Sequence, residues 1–232
     1  MTAARALGSH VLDNPAWTAL TGPQSHLAEV RAKAARFQAE ITPFTGLTDP
    51  HDPLSWQDLA ALVGPGATTA VIGPAAVPAG WTVLGTLPGV QMLGDTLEVA
   101  PDPDAVPLTE SDVPAMLDLV ERTKPGPFQR RTIEMGNYLG IKENGQLIAM
   151  AGERLKPPGW TEISAVCTDP DHRGKGLAAR LIRAVGHEIR QRGEAPFLHA
   201  AASNTNAIRL YEQLGFSLRR RPDFLFLRTP DV

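Results

Sequence analysis

One stretch, Val166-Cys-Thr-Asp-Pro-Asp-His-Arg-Gly-Lys-Gly-Leu-Ala178, limits what this chain can become. The residues before it, Thr161 to Thr168, read as a strand. Those after it, Leu177 to Arg192, read as a long helix whose inner face is Leu181, Ile182, Val185 and Ile189. Between them is a short loop holding Gly174 and Gly176. A strand that turns through such a loop into a helix places bare backbone N–H groups at the positive end of the helix dipole, which makes an anion site.

The 232 residues suffice for one large domain or two small ones. A net charge of −3 gives no footprint for nucleic acid or an anionic membrane, so neither is expected as a partner. The lone cysteine, Cys167, excludes an internal disulfide and a multi-cysteine zinc site, and no metal is expected. Met1 to His10 lacks a signal-like apolar core, and no apolar run approaches the ~20 residues of a membrane span. The expectation is a cytoplasmic protein.

Taken in order, Val11 to Leu20 reads as a short helix with Asn14 as N-cap and Pro15 at its first position. His26 to Glu40 reads as a second, from the spacing of Leu27, Val30, Ala34 and Phe37. Ile41 to Pro53 reads as a loop, and Ser55 to Val63 as a helix with Ser55 as cap. Strand-like pieces follow at Thr68–Ile72, Trp81–Leu87 and Gly89–Leu93. Ala100 to Pro107, with three prolines in eight residues, is a boundary candidate. A strand is expected at Leu97 to Val99, a capped amphipathic helix over Thr109–Val120, and a short helix at Phe128–Met135. Tyr138 to Gly152 forms a hairpin around Asn144-Gly145. After the long helix come a strand at Ala195–Ala201, a helix at Asn204–Leu214 stopped by Gly215, and two strands at Leu218–Arg221 and Phe224–Leu227. This order predicts an α/β chain of the α+β type, with a mixed, mostly antiparallel sheet and helices on both faces. A smaller α/β region precedes it. The divisions are 1–96 and 97–232.

Arg173-Gly-Lys-Gly-Leu-Ala178 resembles the Arg/Gln-x-x-Gly-x-Gly/Ala signature of the GNAT superfamily of N-acetyltransferases, and Asp169-Pro170 is usual before it. Asn204-Thr-Asn-Ala-Ile-Arg-Leu-Tyr-Glu-Gln-Leu-Gly-Phe216 resembles the family's second signature, Asn-x-x-Ala-x-x-Leu-Tyr-x-x-x-Gly-Phe. The likeness covers about residues 97–229 and is nearest the FR47-like group, related to the C-terminal half of glycine N-acyltransferases. By analogy with members of that group, residues 1–96 are a degenerate GNAT-like half.

The resemblance implies an acetyl-CoA-dependent N-acetyltransferase, with acetyl-CoA as co-substrate and a small-molecule amine or amino acid as acceptor, acting as monomer or homodimer. It implies that backbone N–H groups of Arg173, Gly174, Lys175, Gly176, Leu177 and Ala178 cradle the coenzyme pyrophosphate. It also implies that the pantetheine arm runs along Val166, Cys167 and Thr168. Asn204 either bonds the pantetheine or caps its helix. Tyr211 is the expected acid toward the leaving thiolate, its alternative being a packed aromatic. Glu162, eleven residues before Arg173, is the expected base. Its alternative is a surface carboxylate; its rivals are Glu134, Glu153, His199 or a water chain. Alternation puts Glu162, Ser164 and Val166 on one face of the strand and Ile163, Ala165 and Cys167 on the other. Cys167 is rejected as an acetyl carrier, since no histidine adjoins it in sequence. Arg219-Arg-Arg221 reads as a solvated strand end. A non-catalytic acyl-CoA sensor on the same scaffold is the competing reading.

Overall fold

Turn chemistry fixes the chain from Tyr138 onward as read. The computed structural model describes residues 10–73 and 76–231, so of the stretch Met1–His10 only His10 lies among the described residues. β7 (Tyr138–Glu143) and β8 (Gln146–Glu153) pair around Asn144 and Gly145, both at positive φ, 51° and 82°. β9 (Trp160–Thr168) follows, then α4 (Leu177–Gln191), which buries Leu181, Ile182, Val185 and Ile189 as its spacing requires. β10 (Ala195–Ala201), α5 (Thr205–Gln213), β11 (Ser217–Arg220) and β12 (Asp223–Arg228) complete the order. α3 (Val113–Thr123) starts after a single turn at Glu110–Asp112, which a Thr109/Asp112 capping box opens.

Before Tyr138 the chain departs from expectation in places. α1 (Pro15–Leu20) has Pro15 in its first turn, but the Asn14 side chain donates to the Leu47 carbonyl at 2.6 Å instead of capping. His26–Glu40 is no helix. It holds β1 (Ala28–Arg31) and β2 (Ala34–Phe37), turning at Ala32, whose φ is 41°. The apparent helical spacing was coincidental: Leu27, Ala34 and Phe37 are buried, while Val30 is 56% exposed. Pairing with β3 (Phe44–Leu47), which occupies the expected loop, overrides local propensity. α2 (Pro53–Val63) is capped by Asp52, not Ser55, whose hydroxyl is buried against Thr48. β4 (Thr68–Ile72) is as read. The two pieces near residues 81–93 are one strand, β5 (Thr82–Leu93), running through Pro88, whose carbonyl accepts from the Ala202 N–H. Leu97–Val99 is not a strand; Leu97 packs over Gly186 of α4. β6 is the two-residue Val106–Pro107, and Phe128–Met135 holds only a short turn at Thr132–Met135.

The sheet order is β1-β2-β3-β4-β12-β5-β10-β9-β8-β7-β6, with β11 also on β5. All pairs are antiparallel except β3/β4 and β9/β10. Residues 82–88 of β5 pair with β12, and residues 89–93 pair with β10 and β11. The segments 1–96 and 97–232 are therefore joined within one hydrogen-bonded sheet, β12 lying between β4 and β5.

β9 and β10 pair only from Trp160/Ala195 to Ile163/Leu198, then part. Just beyond that point β9 carries a bulge. Ser164 to Cys167 faces Gly152 to Met150, one residue longer than its partner, and Ala165 takes φ 52°. The extra residue reverses the alternation. Ile163 and Val166 both pack in the α4 cluster, while Ala165 and Cys167 pack in the α3 cluster, which corrects the grouping expected from unbroken pleating. Gly152, opposite the bulge, is required: a Cβ there would sit 2.1–2.5 Å from the Tyr138 ring. Gly152→Ala is expected to cost about 1–3 kcal/mol by overpacking. Thermal unfolding checks this; an unchanged Tm would mean the ring moves freely.

Candidate active site

The loop after β9 is held at both ends. The Asp169 carboxylate accepts from the Asp171 N–H at 2.9 Å and pairs with Arg122 of α3. Gly174 and Gly176 take φ of 78° and 74°, a conformation that glycine adopts without strain, and Gly176 is the N-cap of α4. Among the described residues, no backbone or side-chain acceptor meets the N–H groups of Gly174, Lys175, Gly176, Leu177 or Ala178. Gly174, Lys175 and Gly176 are exposed; the Leu177 side chain is core. Free donors at the head of a 15-residue helix form a cradle for an anion.

From this loop a cavity of about 450 Å³ runs into the gap between β9 and β10. Val166, Cys167, Thr168, Arg173 and Ala178 line it, as do Asn204 and Tyr211 from the other signature. Folding thus brings the two motifs to one space. Tyr211 is 8% exposed, with its ring edge-on to Phe216 at 6.0 Å. Burial pushes its phenol up to about 12, so it keeps its proton. Asn204 caps α5, accepting from the Ala207 N–H at 3.2 Å, while still facing the cavity. Cys167 is buried among Met116, Leu119 and Met150, and burial pushes its thiol up to about 11, which leaves little thiolate.

Glu162 lies behind the wall, not on it. It is fully buried at the last paired turn of β9. Arg154 Nε and Nη2 donate to its two oxygens at 2.9 and 2.6 Å, and the His199 Nδ1 is 2.6 Å from Oε1. Burial alone would raise its pKa. The Arg154 guanidinium and His199 outweigh that and hold the carboxyl below its ordinary range. The expected surface carboxylate or free base is instead the buried half of an ion pair. Of its rivals, Glu134 pairs with Arg131, and Glu153 is buried against Lys156 and Arg192. Only His199 reaches the cavity.

His199 is itself fixed. Gln91 Nε2 donates to the Leu12 carbonyl at 2.9 Å and lies 3.0 Å from His199 Nε2. The Gln91 oxygen accepts from Arg219 at 2.7 Å, which sets the amide's orientation. His199 therefore receives at Nε2 and donates at Nδ1. Arg219 continues to Asp13 at 2.6 Å and is no solvated strand end. Arg154, Gln91 and the aromatics Phe44, Phe224 and Phe226 were not singled out from sequence. Their only signal was Arg154 lying eight residues before Glu162 across a Pro-Pro-Gly turn, the reach of a hairpin partner.

Residues 138–225 match the family described as FR47-like protein. The ribosomal protein bS18 alanine N-acetyltransferase of Escherichia coli is 31% identical over 116 residues, covering 47% of this chain and 78% of that one. A mycothiol acetyltransferase of Thermomonospora curvata is 35% identical over 38% of this chain and 30% of its own length. A solved GNAT-family structure from Novosphingobium aromaticivorans is 41% identical, with a TM-score of 0.87 over 94% of this chain and 98% of that one. Two family motifs facing one cleft, on a fold shared nearly end to end with that structure, mean that this chain belongs to the GNAT family of acetyltransferases.

Proposed function

We propose that the cleft takes acetyl-CoA and passes its acetyl group to a primary amine by direct attack in a ternary complex. The observation that carries this reading is the parting of β9 from β10 beside the loop of free N–H groups. Beyond Ile163 the edge of β9 that faced β10 has no strand partner among the described residues. Its backbone is free to pair with the amides of a pantetheine arm, as Val166 and Thr168 were expected to do. The N–H groups of Gly174 to Ala178 suit the pyrophosphate; the Arg173 N–H, expected to join them, donates to the Pro170 carbonyl at 3.4 Å, and the Arg173 and Lys175 side chains add charge. Relatives named for amine acetylation support the class of reaction.

In the reaction the amine nitrogen bonds the thioester carbon as the carbon–sulfur bond breaks. The nitrogen sheds two protons, one from the ammonium before attack and one as the amide forms; the thiolate gains one through the phenol, which the second nitrogen proton restores, and the other is released. Tyr211, protonated and on the cavity wall, donates toward sulfur. Glu162 and His199 are committed to each other and to Arg154 and Gln91, so we assign them to positioning. The ammonium proton leaves through water at the open end. The expected pH dependence follows: kcat/KM rises with pH along the acceptor's own ammonium titration. Acetyl-CoA and coenzyme A should each raise Tm, and ATP should not. Thiol release with an amine panel then reads turnover. No Tm shift with either CoA species would end this reading; shifts without turnover would leave the acyl-CoA sensor.

A further inference from the structure

We propose that the inner end of the cavity is a subsite for an amine that also carries a carboxylate, read by Arg154. This deepens the acyl-transfer reading and rests on it. β10 divides the cavity by side of the sheet. Leu198 and Ala200 pack toward α4 and α5, the side that holds Tyr211. Phe197 and His199 face the other way, edge-on to Trp160 and Phe224. The two sides meet where β9 and β10 part. Donor sulfur on the Tyr211 side leaves the opposite side for the acceptor.

That side has an uncommon wall. The Arg154 side chain is only 9% exposed, and its guanidinium lies 4.9 Å from the Phe44 ring centroid. Nε and Nη2 are taken by Glu162. Gln24 fixes the backbone behind it, donating to the Arg154 carbonyl at 2.7 Å and accepting from the Lys156 N–H at 3.0 Å. Nη1 has no acceptor among the described residues, yet Arg154 lines the cavity. A guanidinium edge held this rigidly, nine-tenths buried and aimed into a cavity, calls for a ligand oxygen.

The sign of the cavity narrows the class. Its charged lining is Lys124, Arg154 and Arg173; no described Asp or Glu lines it. A polyamine would meet no carboxylate among the described lining residues. A zwitterion offers a carboxylate oxygen to the one guanidinium edge, Nη1, that Glu162 leaves free, while its amine points toward the thioester. Phe44 against the guanidinium, with Leu87, Phe224 and Phe226 elsewhere on the lining, suits an apolar body. The acceptor class is therefore an amino acid, or a close analogue, with an apolar side chain.

The test measures binding, so it does not depend on turnover. Calorimetry on the full chain saturated with coenzyme A compares alanine with ethylamine, leucine with isoamylamine, and phenylalanine with phenethylamine. In at least one pair the carboxylated member should bind about tenfold tighter or more, the size of one charge-assisted hydrogen bond. Arg154→Lys keeps a cation beside Glu162 but loses the Nη1 edge, and should bring that ratio toward unity while the Tm shift with coenzyme A persists. If it fails to fold, the double variant Arg154→Met/Glu162→Gln, which removes both buried charges, carries the same expectation. Equal binding within every pair, no binding of any member, or a preference that survives the loss of Arg154 overturns the subsite. Turnover of amines without this preference would do so too and leave acyl transfer standing. Preference in binding without thiol release would do the reverse.

Discussion

Tyr211→Phe should lower kcat by about a hundredfold or more, the usual contribution of a positioned acid, and leave coenzyme A binding intact. The two effects separate because the ring and the hydroxyl have different jobs. The ring packs edge-on to Phe216 within the α4 cluster, and phenylalanine preserves that contact. The hydroxyl has no hydrogen-bond partner among the described residues, so its loss strands no protein group. Stability should stay within about 0.5 kcal/mol of the parent. The pH behaviour adds a second check. Burial pushes the phenol up to about 12, and a raised pKa means the proton is held below that value. The parent's rate should therefore show no descending alkaline limb across the neutral range. Steady-state kinetics read both features; a Phe variant within about twofold of the parent would remove Tyr211 from the chemistry.

Glu162→Gln should unsettle the fold more than the chemistry. The substitution leaves the buried Arg154 guanidinium without its counter-charge, and such a loss costs about 3–5 kcal/mol. For a chain of this size that is a fall of roughly 6–20 °C in Tm. The sign with pH follows from the direction of the shift. The folded carboxyl is held below its ordinary value, so its contribution is whole above the unfolded value of 4.5 and fades as pH falls below it. The parent should thus keep this stability through mild acid, and the variant should lack it at every pH above that point. The pH–rate profile of whatever variant remains folded should match the parent's. A normal Tm with a flattened profile would restore Glu162 as the base.

The two roles of Glu162 show where a sequence runs out. Position in the strand and distance from Arg173 were legible, because a period of two and a fixed motif spacing survive folding. The identity of its neighbours was not. Arg154 follows β8, His199 lies on β10, and Gln91 on β5 reaches the carboxylate through His199; only sheet order brings them together. The bulge at Ala165 was likewise invisible, since alanine carries no signal for a left-handed conformation. The Asn144-Gly145 hairpin and both glycines of the loop were read correctly for the opposite reason: their residues are the ones those backbone angles favour. His26–Glu40 failed because its alanines and arginines favour a helix locally, and pairing with distant β3 overrides them.

The placement of β12 has a kinetic consequence. Its ladder joins Thr68 to Arg228 and Ile72 to Phe224, among the longest-range pairings in the chain. Such contacts form late, because a large loop must close before they return any energy. Until β12 docks, β4 and the first half of β5 each present an open edge, with Val83, Leu84 and Leu87 beside it. An unfinished chain in that state offers strangers the pairing meant for its own late strand, and its solubility during synthesis depends on how quickly that gap is filled.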